Sequence, residues 1–250
     1  MSPRTFALLG SGEFEPWHDE IDRWLLERAG GAEPRTALVV PLASAPEGRE
    51  VFDEWAAKGR AHYERLGVPV EVAMLLERDD ASGDAVLRQL DDASLVFFSG
   101  GNPWHVARSL TGTPFWDRLV RRLDDGLVYA GCSAGVACLT SLTFDSDTED
   151  FDEVFKPGLG YVPGVLFGPH WDMIETWVPG AKAGIIAAGG SDVTVVGIDE
   201  RTAMIGDGEV WSVRGAGAVY LYRDGTQIAS HRAGGEFGLA FERSTGEQVR

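Results

Sequence analysis

Five consecutive residues, Gly131-Cys132-Ser133-Ala134-Gly135, set a hydroxyl between two glycines in the pattern Gly-x-Ser-x-Gly. Chance alone gives roughly 0.2 such matches in a chain of this glycine and serine content, so the pattern acquires meaning only from its surroundings. An apolar run, Leu127–Gly131, leads in as a strand, and Val136–Thr140 leads out as a helix-compatible run. A serine on so sharp a strand-to-helix turn sits in a strained backbone, and only small residues fit two positions to either side. The positions concerned are Gly131 and Gly135. The hydroxyl would then stand at a helix start, where backbone N–H groups favour developing negative charge. The N–H of Ala134 is the first expected oxyanion donor, and Gly101, at the end of a neighbouring strand, the second. Cys132 is the rival nucleophile, but shifting the pattern by one puts Ala130 and Ala134 where glycines belong.

A serine nucleophile needs a general base, usually histidine, and an acid to orient it. The histidines are His18, His62, His105, His170 and His231. His62 reads as a solvated residue on a charged helix face, and His18 and His105 as helix-start residues beside a tryptophan. His105, close to Gly101, is a second candidate to line the pocket. His170 follows an apolar run ending in Gly168-Pro169, which places its imidazole at a strand end, where sheet active sites lie. Glu200 follows the strand Val193–Ile198 and is the expected acid; the acidic loop Asp145–Glu153 is the alternative source. Asn102, Trp104 and Trp171 flank these loops and are expected to contact substrate.

The elements that must carry these groups alternate in the first half of the chain. Strands are predicted at Thr5–Leu9, Ala37–Pro41, Val68–Leu75, Leu95–Phe98 and Leu127–Gly131. Helices are predicted near Asp19–Ala29, after a capping box at Ser44–Glu47, near Asp84–Leu90 and from Thr113-Pro114. Near-uniformly apolar strands with helices between them imply a mainly parallel sheet sandwiched by helices. The second half turns tightly, at Gly206-Asp207-Gly208 and Arg223-Asp224-Gly225, and reads as an antiparallel extension of the same sheet.

Composition narrows the task. The 250 residues carry 39 acidic and 22 basic side chains, a net charge of −17 that repels phosphate backbones and argues against nucleic-acid partners. No apolar run reaches transmembrane length and none suits a signal peptide. The two cysteines, Cys132 and Cys138, are expected to be reduced, so the cytoplasm is the expected location. Neither a phosphate-binding loop nor a zinc-type His/Cys spacing occurs, so neither cofactor nor metal is expected. Residues 1–250 read as a single α/β hydrolytic domain.

Four segments together are more specific than any one of them: Leu8-Leu9-Gly10-Ser11-Gly12-Glu13, Phe98-Ser99-Gly100-Gly101-Asn102, Gly131–Gly135, and Pro169-His170 with Gly197–Ala203. In these the chain resembles the dipeptidase E and cyanophycinase family of serine peptidases, with its class I glutamine amidotransferase-like, flavodoxin-like three-layer fold. The resemblance spans about residues 5–222. It implies a Ser133–His170–Glu200 triad, an oxyanion hole at Gly101 and Ala134, and a small peptide or amide as substrate, with a homodimer open as an assembly state. Family members that cut aspartyl bonds carry arginines shortly after the histidine. Met173-Ile174-Glu175-Thr176-Trp177 stands there instead, so aspartyl specificity is not expected. Two other classes compete: an α/β-hydrolase esterase, which would use His231 in the order Ser, acid, His, and a non-catalytic binding domain on the same fold.

Overall fold

The computed structural model describes residues 4–30, 34–148 and 153–241. In chain order its elements are β1 (Phe6–Leu9), α1 (Asp19–Arg28), β2 (Ala37–Val40), α2 (Arg49–Arg65), β3 (Val70–Val72), α3 (Asp84–Asp92), β4 (Leu95–Phe98), α4 (Pro103–Leu110), α5 (Pro114–Asp124), β5 (Val128–Cys132) and α6 (Ala134–Ala137). Then follow β6 (Leu142–Phe144), β7 (Phe155–Pro157), β8 (Val165–Gly168), α7 (Ile174–Trp177), α8 (Ala181–Gly189), β9 (Thr194–Ile198), β10 (Thr202–Gly206), β11 (Val210–Gly215), β12 (Ala218–Arg223), β13 (Thr226–Arg232) and β14 (Glu236–Gly238).

The main sheet has the order β14-β11-β10-β1-β5-β4-β2-β3. Strands β3, β2, β4, β5 and β1 run parallel, and β10, β11 and β14 add on antiparallel. At the centre, β1, β2, β4 and β5 are buried at every position because both faces are covered, which is why they read as near-continuous apolar runs. Leu9 of β1 and Phe97 of β4 join α1 and α2 in one cluster, whereas Phe6, Leu8, Val96 and Phe98 face α3–α5.

The antiparallel extension expected from the sequence forms with β10, β11 and β14, but the rest of the second half does not join it. Strands β13-β12-β9-β8 make a second, four-stranded sheet. Its Phe167, Val196, Ile198 and Val219 pack into the same cluster as Phe6 and Leu8 of β1. Only the three residues Asp199–Arg201 separate β9 in one sheet from β10 in the other. Both predicted hairpin turns are present; Asp224 and Gly225 have φ of 50° and 72°, the left-handed pair that a two-residue hairpin requires.

Two local expectations fail. Ser44 does not open a helix: its hydroxyl donates to Pro41 O inside a 3-10 turn, and α2 starts after Gly48 without a side-chain cap. The strand expected over Val68–Leu75 pairs only at Val70–Val72. At α4 and α5 the caps follow the sequence: Asn102 Oδ1 accepts from His105 N, and Thr113 Oγ1 accepts from Trp116 N, each followed by proline.

Candidate active site

The segment Gly131–Gly135 turns from β5 directly into α6, earlier than the expected start at Val136. Ser133 has φ 50° and ψ −105°, a conformation costly for a residue with a β-carbon. A β-carbon at Gly131 would collide with the carbonyl of Gly135, and one at Gly135 with the carbonyl of Phe98. Both glycines are therefore needed by contact as well as by turn geometry. The Ser133 N–H donates to Leu9 O at 3.0 Å, which ties the elbow to β1.

His170 follows the end of β8 with φ 52°. Its Nε2 lies 2.9 Å from Ser133 Oγ, and its Nδ1 lies 3.0 Å from Glu200 Oε1. A carboxylate only accepts, so Nδ1 carries the proton and Nε2 is left to accept from the serine hydroxyl. Glu200 lies in the turn between β9 and β10, and its N–H donates to Asp172 Oδ1 at 2.8 Å. The following N–H, of Arg201, donates to Ser11 Oγ, and the Arg201 guanidinium pairs with Glu15 at 3.0 Å. Among the described residues the non-glycine positions with positive φ are Phe14, Ser133, His170, Arg201 and Asp224. All but Asp224 belong to these loops, so backbone strain gathers where the hydroxyl, imidazole and carboxylate meet.

Cys132, the rival nucleophile, is fully buried beneath the elbow and donates its Sγ–H to Glu13 Oε2 at 2.9 Å. Burial first, and then the Glu13 carboxylate, push its thiol well above the ordinary range, which suppresses the thiolate a nucleophile requires. The other oxygen of Glu13 accepts from Gly100 N at 2.9 Å. The loop Gly100-Gly101 thus sits beside the serine; Gly101 has φ 135° and its missing side chain leaves room for the backbone of Ala43.

Of the expected substrate contacts, Trp171 is a correction. Its ring is 1% exposed, packed over Gly168 and Gly197, with Nε1 donating to Tyr222 Oη. A side chain so enclosed cannot meet a ligand. Asn102 is buried as well and spends its amide on the α4 cap and on Asp145 and Asp147, at 2.6 and 2.7 Å. Trp104 is half-buried on the first turn of α4. The tryptophan against the imidazole is Trp177, with ring centroids 5.1 Å apart and 54% of its surface exposed. A cavity of about 1060 Å³ opens beside His170 and Glu200, walled by Glu13, Phe14, Trp55, Lys58 and Arg201 among others. Of the alternative acids, Asp145 and Asp147 are engaged by Asn102, and residues 149–152 lie outside the described residues.

The remaining histidines stand elsewhere. His231, which an esterase order would use, lies on β13 stacked on Phe237 at 4.6 Å. His105 Nε2 lies 2.7 Å from Leu76 O. His62 is buried, not solvated: it forms a knot with His18 and Asp22, whose ligand-type atoms lie within 4.8 Å of one another. Arg65 donates to His62 Nδ1, which leaves the ring proton on Nε2 for Asp22 Oδ2 at 2.5 Å, while the Tyr63 hydroxyl donates to Oδ1. That proton occupies the lone pair a cation would need, so the arrangement is a hydrogen-bonded tie between α1 and α2.

Comparison with known proteins identifies the family. The family model for peptidase family S51 matches residues 6–213. A cyanophycinase of Trichormus variabilis is 26% identical over 226 residues, covering 86% of this chain and 72% of that protein. A Peptidase E of Streptomyces coelicolor is 30% identical over 131 residues, covering 52% and 51%. The crystal structure of a peptidase from an acI-B1 Actinobacterium superposes with a TM-score of 0.83 at 28% identity, covering 94% of this chain and 97% of that one. The chain belongs to peptidase family S51 and is a peptidase.

Proposed function

We propose that the chain is a serine peptidase that cleaves small peptides through an acyl-enzyme at Ser133. The observation that carries this reading is the hydrogen-bonded series Glu200–His170–Ser133, with links of 3.0 and 2.9 Å. Ser133 Oγ attacks the carbonyl carbon while its proton passes to His170 Nε2. Glu200 orients the imidazole and stabilises the imidazolium. The N–H groups of Gly101 and Ala134 receive the oxyanion. As the tetrahedral species collapses, the C–N bond breaks and His170 returns the proton to the departing amine. Water, deprotonated by the same imidazole, then releases the acid and restores the hydroxyl.

The residues beside the imidazole bear on the substrate. Trp177, and no arginine, occupies the segment Met173–Trp177, so peptides without an aspartyl residue at the scissile bond are the expected substrates. Both cysteines are buried and unpaired, which favours a reducing compartment such as the cytoplasm. Among the described residues no helix is long and apolar enough to cross a membrane. The test is a dipeptide and isopeptide library assayed with wild type and Ser133→Ala. A peptide cleaved by wild type should lose roughly 10⁴-fold or more in kcat with the variant. Undiminished turnover would overturn the reading.

A further inference from the structure

We infer that Glu13 is a positioning residue that sets the oxyanion hole against the nucleophile, an inference that rests on the Ser133 reading. The loop from Gly10 to Glu15 connects β1 to the turn before α1 and lies beside the elbow. Within it Phe14 takes φ 64°, a left-handed conformation that costs a residue of this size about 1 kcal/mol or more. The Phe14 ring is held fast: its centroid lies 4.7 Å from that of Phe97, 5.5 Å from His62 and 6.4 Å from Tyr63. With Phe14 anchored on the α2 side, the strained backbone directs the preceding side chain the other way, into the elbow. There one carboxylate bridges two segments far apart in sequence. Oε1 accepts from Gly100 N, 87 positions away, and Oε2 accepts from Cys132 Sγ–H, 119 positions away.

Each anchored residue adjoins one that the reaction needs. Gly100 precedes Gly101, and Cys132 precedes Ser133. The three segments meet closely: a β-carbon built on Gly100 would stand 3.2 Å from Glu13 Oε1 and 3.6 Å from Ser133 Cβ. The carboxylate therefore fixes the distance between the Gly101 N–H and the serine. A group so placed acts on the step in which negative charge forms on the carbonyl oxygen, because ground-state binding does not depend on where the oxyanion will sit.

The experiment uses the intact chain and a peptide found to be cleaved in the library above. Glu13→Ala should lower kcat roughly 100-fold with KM within threefold, the loss expected when an oxyanion donor is misplaced. Affinity for a peptide aldehyde, which forms the tetrahedral adduct, should fall in parallel. Glu13→Gln keeps an oxygen for the Gly100 N–H and should lose roughly tenfold or less. Where Glu13→Ala does not fold, Glu13→Gln decides the matter, with a fivefold loss of aldehyde affinity expected and unchanged affinity overturning the role. The role is also overturned if folded Glu13→Ala turns over within threefold of wild type, or if the loss falls on KM. If no peptide is cleaved and the aldehyde does not bind wild type, the Ser133 reading itself has failed and the role of Glu13 fails with it.

Discussion

Replacing Glu200 by glutamine preserves the side chain's volume and an oxygen for His170 Nδ1, and removes the charge that steadies the imidazolium. The size of the effect follows from the site's exposure. His170 and Glu200 are 3.0 Å apart, with 25% and 35% of their side chains open to solvent. A pair this wet is screened far more than a buried one, so an effective dielectric between about 40 and 80 is appropriate. Two unit charges at that separation then attract by about 1.4 to 2.8 kcal/mol, or roughly 10- to 100-fold in rate. The loss of roughly 10⁴-fold seen when a buried triad aspartate is made neutral is not expected. The assay is steady-state hydrolysis of a cleaved peptide by wild type and Glu200→Gln at one pH, with melting temperatures matched. A loss beyond roughly 10⁴-fold would show that the carboxylate works in a far drier setting than this geometry allows. Activity within about twofold of wild type would show that Glu200 does not orient the base.

Three further outcomes follow from the packing. Gly135→Ala forces a methyl against the Phe98 carbonyl and should cost about 2–3 kcal/mol, lowering the melting temperature by roughly 5–10 °C in a scanning calorimeter. Both thiols are fully buried and Cys138 is pushed up to about 12 by its burial, so a disulfide-exchange reagent should leave both untouched in the native chain and react with both in denaturant. His18 is held below its ordinary value by burial, against the opposing pull of Asp22, and burial also lowers His105. A depressed histidine contributes stability that is complete above about pH 6.5 and is lost as the pH falls below it, by at most about 1.4 kcal/mol per pH unit for each ring. Urea midpoints taken between pH 7.5 and 5.5 should decline, and His18→Leu should flatten the decline to the share of His105; an identical slope in the variant would refute the assignment.

The residues of the candidate site were legible where the signal was local. The elbow is written in five consecutive residues, and His170 and Glu200 each follow an apolar strand, where backbone direction alone brings side chains to one edge. Glu13 closes one of the segments that carry the family resemblance, but its role was not legible, because both of its partners are more than 80 positions away. His62 was misread for the same reason: its acceptor, Asp22, lies on another helix 40 residues earlier. The second sheet was hidden because alternation shows which face of a strand is buried and not which neighbour it pairs with. Trp171 did leave a trace. Gly168 ends one apolar strand and Gly197 interrupts another, and glycine in a strand often marks the close approach of a large group. Here that group is the indole, and the reading of it as a pocket wall overlooked the space those two residues provide.

The division of the site between two layers has a consequence for the chain during its own synthesis. Ser133 belongs to one sheet, the imidazole 37 positions later to the other, and the carboxylate to the crossing between them. The strand that leads to that crossing is held by β12, which leaves the ribosome after it. On the triad reading, the nascent polypeptide gains activity only once β12 has been made and the two layers have docked, so the cell is spared a half-built protease.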